Sequence, residues 1–191
     1  MILGAFRRGD PNRNIHGLYG VIVAQARSPA FYTHYGVSDS VEGRFELIVL
    51  HLVLVLRRIG AKGAAASERG PSLGPGSAVG QRLFDVFCRD LDDNLREMGV
   101  GDLAVPRRMR QFGEAFYGRQ AAYGAALAAT DPQELEKVLA RNILSRADAG
   151  EKAAPLARYM RAAAAQLDAQ PEDSLIAGRA VFPSPETFVN A

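Results

Sequence analysis

The stretch Leu83–Arg119, LFDVFCRDLDDNLREMGVGDLAVPRRMRQFGEAFYGR, decides the fold. Leu83, Phe84, Phe87, Cys88, Leu91, Leu95 and Met98 recur at helical spacing, so one broad apolar stripe runs along Gln81–Met98. Gly99 and Gly101 then stop the helix, because a glycine closes a helical end at little steric cost. Pro106 suits the first turn of the next helix, where its missing N–H loses no hydrogen bond. Val105, Met109, Phe112, Phe116, Tyr123 and Leu127 continue that helix at intervals of three, four and seven. Gly118 in its middle costs about 1 kcal/mol against alanine, and predicts a close contact with a neighbouring helix.

Working outward, the same periodicity dominates the chain. Asn14–Ala26 reads as a first helix ended by Arg27-Ser28-Pro29, and Phe31–Tyr35 as a short helix or turn. Ser38-Asp39-Ser40 offers capping side chains for Glu42–Arg58, which is apolar nearly all round, as a centrally buried helix is. A strand over Ile48–Val55 is the competing reading, but the run is long for a strand and rich in leucine. Gly60–Gly80, with six glycines and two prolines, reads as a mobile surface loop. Thr130–Glu134 supplies a cap, a proline and an acidic first turn for a helix burying Leu135, Val138, Leu139 and Ile143. Lys152–Leu167 forms another helix, and the proline-bearing tail after Gln170 reads as extended. The expectation is an all-α, single-domain bundle of about six to eight helices spanning 1–191.

Composition narrows the function. In 191 residues 48% are hydrophobic, enough for one packed core. A net charge of only +2 argues against direct DNA binding. The single Cys88 excludes an intrachain disulfide and a cysteine metal cluster, and fits a reducing compartment. Met1–Arg8 sets its apolar residues before its charges, so no secretory leader is expected. The apolar run Leu47–Leu56 is far short of the roughly 20 residues that span a bilayer. The protein is expected to be cytoplasmic, at most peripheral to a membrane.

Candidate chemistry falls away on inspection. Asp90-Leu91-Asp92-Asp93-Asn94 starts like a calcium loop, but Leu95 and Gly101 stand where that loop needs glycine and a bidentate glutamate. A diphosphate-binding acidic helix would need a second acidic motif, and none is present. Asp85/Arg89, Arg89/Asp93 and Asp92/Arg96 are spaced instead as ion pairs of a solvated helix face. The Gly-rich segment lacks the phosphate-loop pattern. His16, His34 and His51 have no metal-ligand spacing; His51 reads as a hydrogen-bonded core residue and Cys88 as a buried, inert thiol. No cofactor, metal site or catalytic constellation is expected. Arg107, Arg108 and Arg110 remain, cations where the helix dipole disfavours them. Either an acidic or phosphate-bearing partner or local pairing with Asp102 or Glu114 would account for them.

With Val23–Arg58, the Leu83–Arg119 stretch resembles the ubiquinol–cytochrome c chaperone family, in which LREMGVGDLAVP and FYGR are the most recognisable words. The resemblance covers about 19–144, leaving the 60–80 loop and 150–191 as divergent parts. It implies a non-enzymatic helical chaperone of the cytochrome bc1 complex, binding newly made cytochrome b or another bc1 subunit. It also brings a ribosome contact and a peripheral association with the cytoplasmic face of the inner membrane into view. Mitochondrial relatives carry N-terminal targeting extensions; the start of this chain close to the shared region reads as a bacterial form. Partner contact is expected at Asp102, Arg107, Arg108, Tyr117 and Arg119. Two readings from outside this class stay open: a helical carrier or enzyme for an isoprenoid, quinone or haem, and a ribosome-associated module.

Overall fold

A computed structural model describes residues 11–64, 78–144 and 149–189. The described residues form helices α1 (Pro11–Ala26), α2 (Pro29–Thr33), α3 (Val41–Ala64), α4 (Ala78–Glu97), α5 (Val105–Ala128), α6 (Gln133–Asn142), α7 (Ala149–Ala169) and α8 (Glu172–Ile176), followed by a 3-10 turn at Pro185–Phe188. There is no strand among them; a lone antiparallel bridge joins Val37 to Leu144.

Helix α3 is the hub, packed against α1, α4, α5, α7 and α8. Its apolar residues are surrounded for that reason: Leu47, Val49, Leu50 and every residue from Leu52 to Leu56 are buried. Ser40 caps it. The Gly43 amide donates to Ser40 Oγ (3.1 Å) and the Arg44 amide to the Ser40 carbonyl (3.0 Å). Gly43 is required there, because a Cβ would overlap the Ser38 carbonyl oxygen as the chain folds into the helix.

The α4–α5 corner follows the sequence closely. Gly99 takes φ +78°; its amide donates to Arg96 O (2.9 Å) and the Val100 amide to Leu95 O (3.0 Å), the paired closure that a left-handed residue permits. The turn then re-enters helix through Ala104 and Val105, whose amides both reach the Gly101 carbonyl. Leu83, Val86, Phe87 and Leu95 of α4 face inward, while Met98 lies beyond the helix end and is half exposed. Cys88 is partly buried rather than sealed; burial and nearby Asp85 push its thiol pKa up.

Three expectations change. Helices α3 and α4 extend into the Gly-rich segment, so Gly60–Ala64 and Ala78–Gly80 are helical; the remainder of that loop, 65–77, lies outside the described residues. Gly118 marks no close packing, since a Cβ there would meet nothing within 4 Å. The tail after Gln170 is folded back onto the bundle rather than simply extended. Tyr35 donates to Pro185 O (2.5 Å), Gln25 donates to Pro183 O (3.0 Å), and the Gln170 amide group makes two 2.8 Å bonds with the Val181 backbone.

Those tail contacts close a second, aromatic core. Phe31, Tyr35, His51, Tyr159, Phe182 and Phe188 pack in mostly tilted or edge-on contacts. His51 Nδ1 lies 2.7 Å from Leu47 O and must donate, since a carbonyl only accepts. Nε2 therefore accepts from the Tyr159 hydroxyl at 2.6 Å, and that hydroxyl accepts from Gln25 at 3.0 Å. Every polar atom in this chain of contacts has a partner, which keeps a fully buried imidazole tolerable.

Candidate functional site

A groove of about 450 Å³ opens where α1, α3, α4 and α5 meet. Its apolar lining comes from three helices: Phe45 and Ile48 of α3, Phe87, Leu91 and Leu95 of α4, and Phe112 of α5. Phe45 sits between Phe112 (centroids 4.7 Å) and Phe87 (6.2 Å). These residues repeat at helical spacing on their own helices, but the stripes are wider than the core needs, and the excess lines the groove. Arg27, Arg44 and Arg108 add cations to its wall, Arg44 already paired with Asp39, and Glu42 adds an acid.

Two partly buried polar contacts fix the walls. Arg119 holds Glu46 through Nε to Oε2 and Nη2 to Oε1, a bidentate grip between α5 and α3. Burial pushes the Glu46 carboxyl above its ordinary range despite the opposing pull of Arg119. Burial would lower the Arg119 pKa, but the hydrogen bonds and charge of Glu46 raise it, so the guanidinium stays charged. Across the groove the Tyr19 hydroxyl donates to Asp90 Oδ2 at 2.7 Å, tying α1 to α4. Burial first, and then Asp90, raise the Tyr19 pKa. Two of the groove's carboxylates are thus committed to structural partners. Among the described residues no group of three or more His, Cys, Asp or Glu is placed to hold a metal ion.

The residues singled out from sequence fall in different places. Arg108 and Arg119 line the groove together. Arg107 joins Ala104, Arg108 and Gln111 around a shallow neighbouring depression. Asp102 is exposed and bound to Arg96 at 2.5 Å, so it does not serve the α5 arginines. Tyr117 is partly exposed and leans on Phe84 and Phe116. Among the described residues Arg107, Arg108 and Arg110 form no ion pair, which leaves the conflict with the helix dipole standing. Sequence reading missed Tyr19, Phe45, Glu46, Asp90 and Phe112 as groove residues. Glu46 carried a usable signal, an acid within an otherwise apolar helix.

Fold and groove together define a helical bundle with an apolar recess and a charged wall. Residues 33–182 match the family described as Ubiquinol-cytochrome C chaperone. The crystal structure of the Cbp3 homolog from Brucella abortus is similar at 36% identity, covering 94% of each chain, with a TM-score of 0.76. Among curated proteins no match was found. The chain belongs to the ubiquinol–cytochrome c chaperone family.

Proposed function

We propose that this protein is a non-enzymatic assembly chaperone of the cytochrome bc1 complex, and that it holds an apolar segment of cytochrome b or another bc1 subunit in the α1/α3/α4/α5 groove. The supporting observation is the groove itself, an apolar recess with arginines along its wall in a chain of this family. Such a recess shields a segment otherwise prone to aggregate, and its charged wall steers the approach of a partner. No helix among the described residues is long and apolar enough to cross a membrane. In this reading the protein meets its client at the cytoplasmic surface of the membrane into which that client inserts. Family membership favours this reading over an isoprenoid, quinone or haem carrier.

The test is site-directed photo-crosslinking in cells making the bc1 complex, with a photo-reactive phenylalanine analogue in place of Phe112. Crosslinks to cytochrome b or a second bc1 subunit are expected from that position, and none from an analogue at exposed Val181 on the tail. Equal crosslinking from both positions, or none from Phe112 while bc1 assembly proceeds, would remove the groove as the client site.

A further inference from the structure

Leu103 is 98% exposed in the α4–α5 turn, with half-exposed Met98 five residues before it in the same turn. A lone exposed leucine is ordinary. This one stands on an ordered corner, held by the Gly99 closure, by the amides that reach Gly101 O, and by buried Val105 immediately after it. Arg107 and Arg110, three residues apart and hence on one side of α5, flank the apex and form no ion pair among the described residues. Asp102, the acid next to Leu103, is already bound to Arg96. Residues 103–110 carry three arginines and no acid. The cations that follow the exposed Leu103 are therefore not offset by any acid within that stretch.

We infer that the α4–α5 turn is a membrane-surface contact, inserting Leu103 and Met98 among the headgroups of an anionic bilayer while Arg107 and Arg110 bind lipid phosphates. An apolar apex bordered on one side by cations that lack acidic partners among the described residues matches that interface, since the side chains enter the headgroup layer and the arginines meet its negative potential. A protein partner would fit the apolar apex equally well, but the local charge excess favours a surface of uniform negative charge. Met98 and Arg108 also line the groove, so contact at the turn would hold the groove mouth against the lipid. The inference deepens the membrane placement proposed above. Vesicle binding and client crosslinking fail separately, so each can be judged alone.

The experiment is flotation of the full-length chain with phosphatidylglycerol-rich vesicles, with phosphatidylcholine vesicles as the comparison. Binding to the anionic vesicles alone, weakened by salt, is expected. Arg107→Gln with Arg110→Gln should lower the partition coefficient by roughly 25-fold, since each arginine at an anionic surface contributes roughly fivefold, and Leu103→Asp should separately lower it as well. All three positions are exposed, so the variants should fold, and melting curves matching the wild type are the control for that. Absence of wild-type binding, equal binding to phosphatidylcholine, or full binding by both variants would each overturn the proposal. So would loss of client crosslinking in Leu103→Asp without any vesicle binding by the wild type, which would make the turn a protein contact.

Discussion

Arg119 grips Glu46 across 73 positions of sequence, joining α5 to the central helix at the inner end of the groove. The carboxylate is nearly buried and its pKa is raised chiefly by that burial, so the guanidinium is what makes its charge tolerable. Removing one partner of a buried pair costs ~3–5 kcal/mol, and the partial exposure of Arg119 places Arg119→Ala nearer ~2–3. A raised folded-state pKa means stability is present at low pH and lost as pH rises through that value. The Arg119→Ala defect should therefore shrink in acid, and Glu46→Gln added to it should restore much of the loss. Denaturant midpoints for the four members of this cycle, at neutral and acidic pH, are the check. An additive double variant would show that the two side chains do not act as a unit.

A second pH dependence comes from His51. Burial depresses its pKa to about 4, although the bond to Leu47 O works the other way. The folded state thus binds fewer protons than the unfolded chain between about 4 and the ordinary histidine value near ~6.5. This contribution is fully present above the unfolded value and is lost as pH falls through that window, by on the order of 3 kcal/mol. Replacing His51 with Phe should flatten the pH slope between ~6.5 and ~4 in chemical denaturation, whatever it does to the absolute stability. An unchanged slope would mean the imidazole is not held neutral.

The glycines of the helices should part company on substitution. Gly118→Ala meets open space and a helical backbone, so it should stabilise by about 1 kcal/mol. Gly43→Ala drives its methyl into the Ser38 carbonyl and should destabilise. Thermal melts of the pair, read as shifts of opposite sign, decide the matter.

Phe87 is buried between Phe45, Phe84 and Phe116. Its truncation to alanine should cost ~3–5 kcal/mol and unfold the protein in preference to disabling it selectively. A circular-dichroism melt within a few degrees of wild type would show that the α4 stripe is not part of the core.

Charge reversal of Arg107 and Arg108 should act oppositely on fold and function. Acids in the first turn of α5 complement its dipole, so Arg107→Glu with Arg108→Glu should melt at or slightly above the wild-type temperature. At the groove wall and the turn the same change reverses the field met by a partner, and cytochrome b accumulation should fall in a complemented deletion strain. Full bc1 spectra at native expression would take both arginines off the binding surface.

The layout of α3, α4 and α5 was legible because each relies on local rules: a continuous stripe, a left-handed glycine and a proline in the first turn. The groove was not, for a physical reason. Its walls are fastened by Tyr19 to Asp90 and Glu46 to Arg119, contacts between residues 71 and 73 positions apart that no periodicity encodes. The tail was misread for the same reason. Prolines spaced as in an extended segment reveal nothing of the Tyr35 hydroxyl waiting 150 positions upstream for the Pro185 carbonyl. Gly118 erred in the other direction, since a glycine in a helix signals permission for a close approach without requiring one.

The folded-back tail sets an order on how the molecule is completed during translation. Every residue lining the groove lies between Tyr19 and Arg119, and has left the ribosome well before the tail is made. The aromatic core around His51 has to wait, because Phe182, the Pro183 and Pro185 carbonyls and Phe188 are among its last components. The residues of the recess are thus all synthesised ahead of the lock that stabilises it. A nascent chain stalled between those two points would display an apolar groove on an unfinished scaffold, and slow decoding of the last codons would lengthen the time it stays that way.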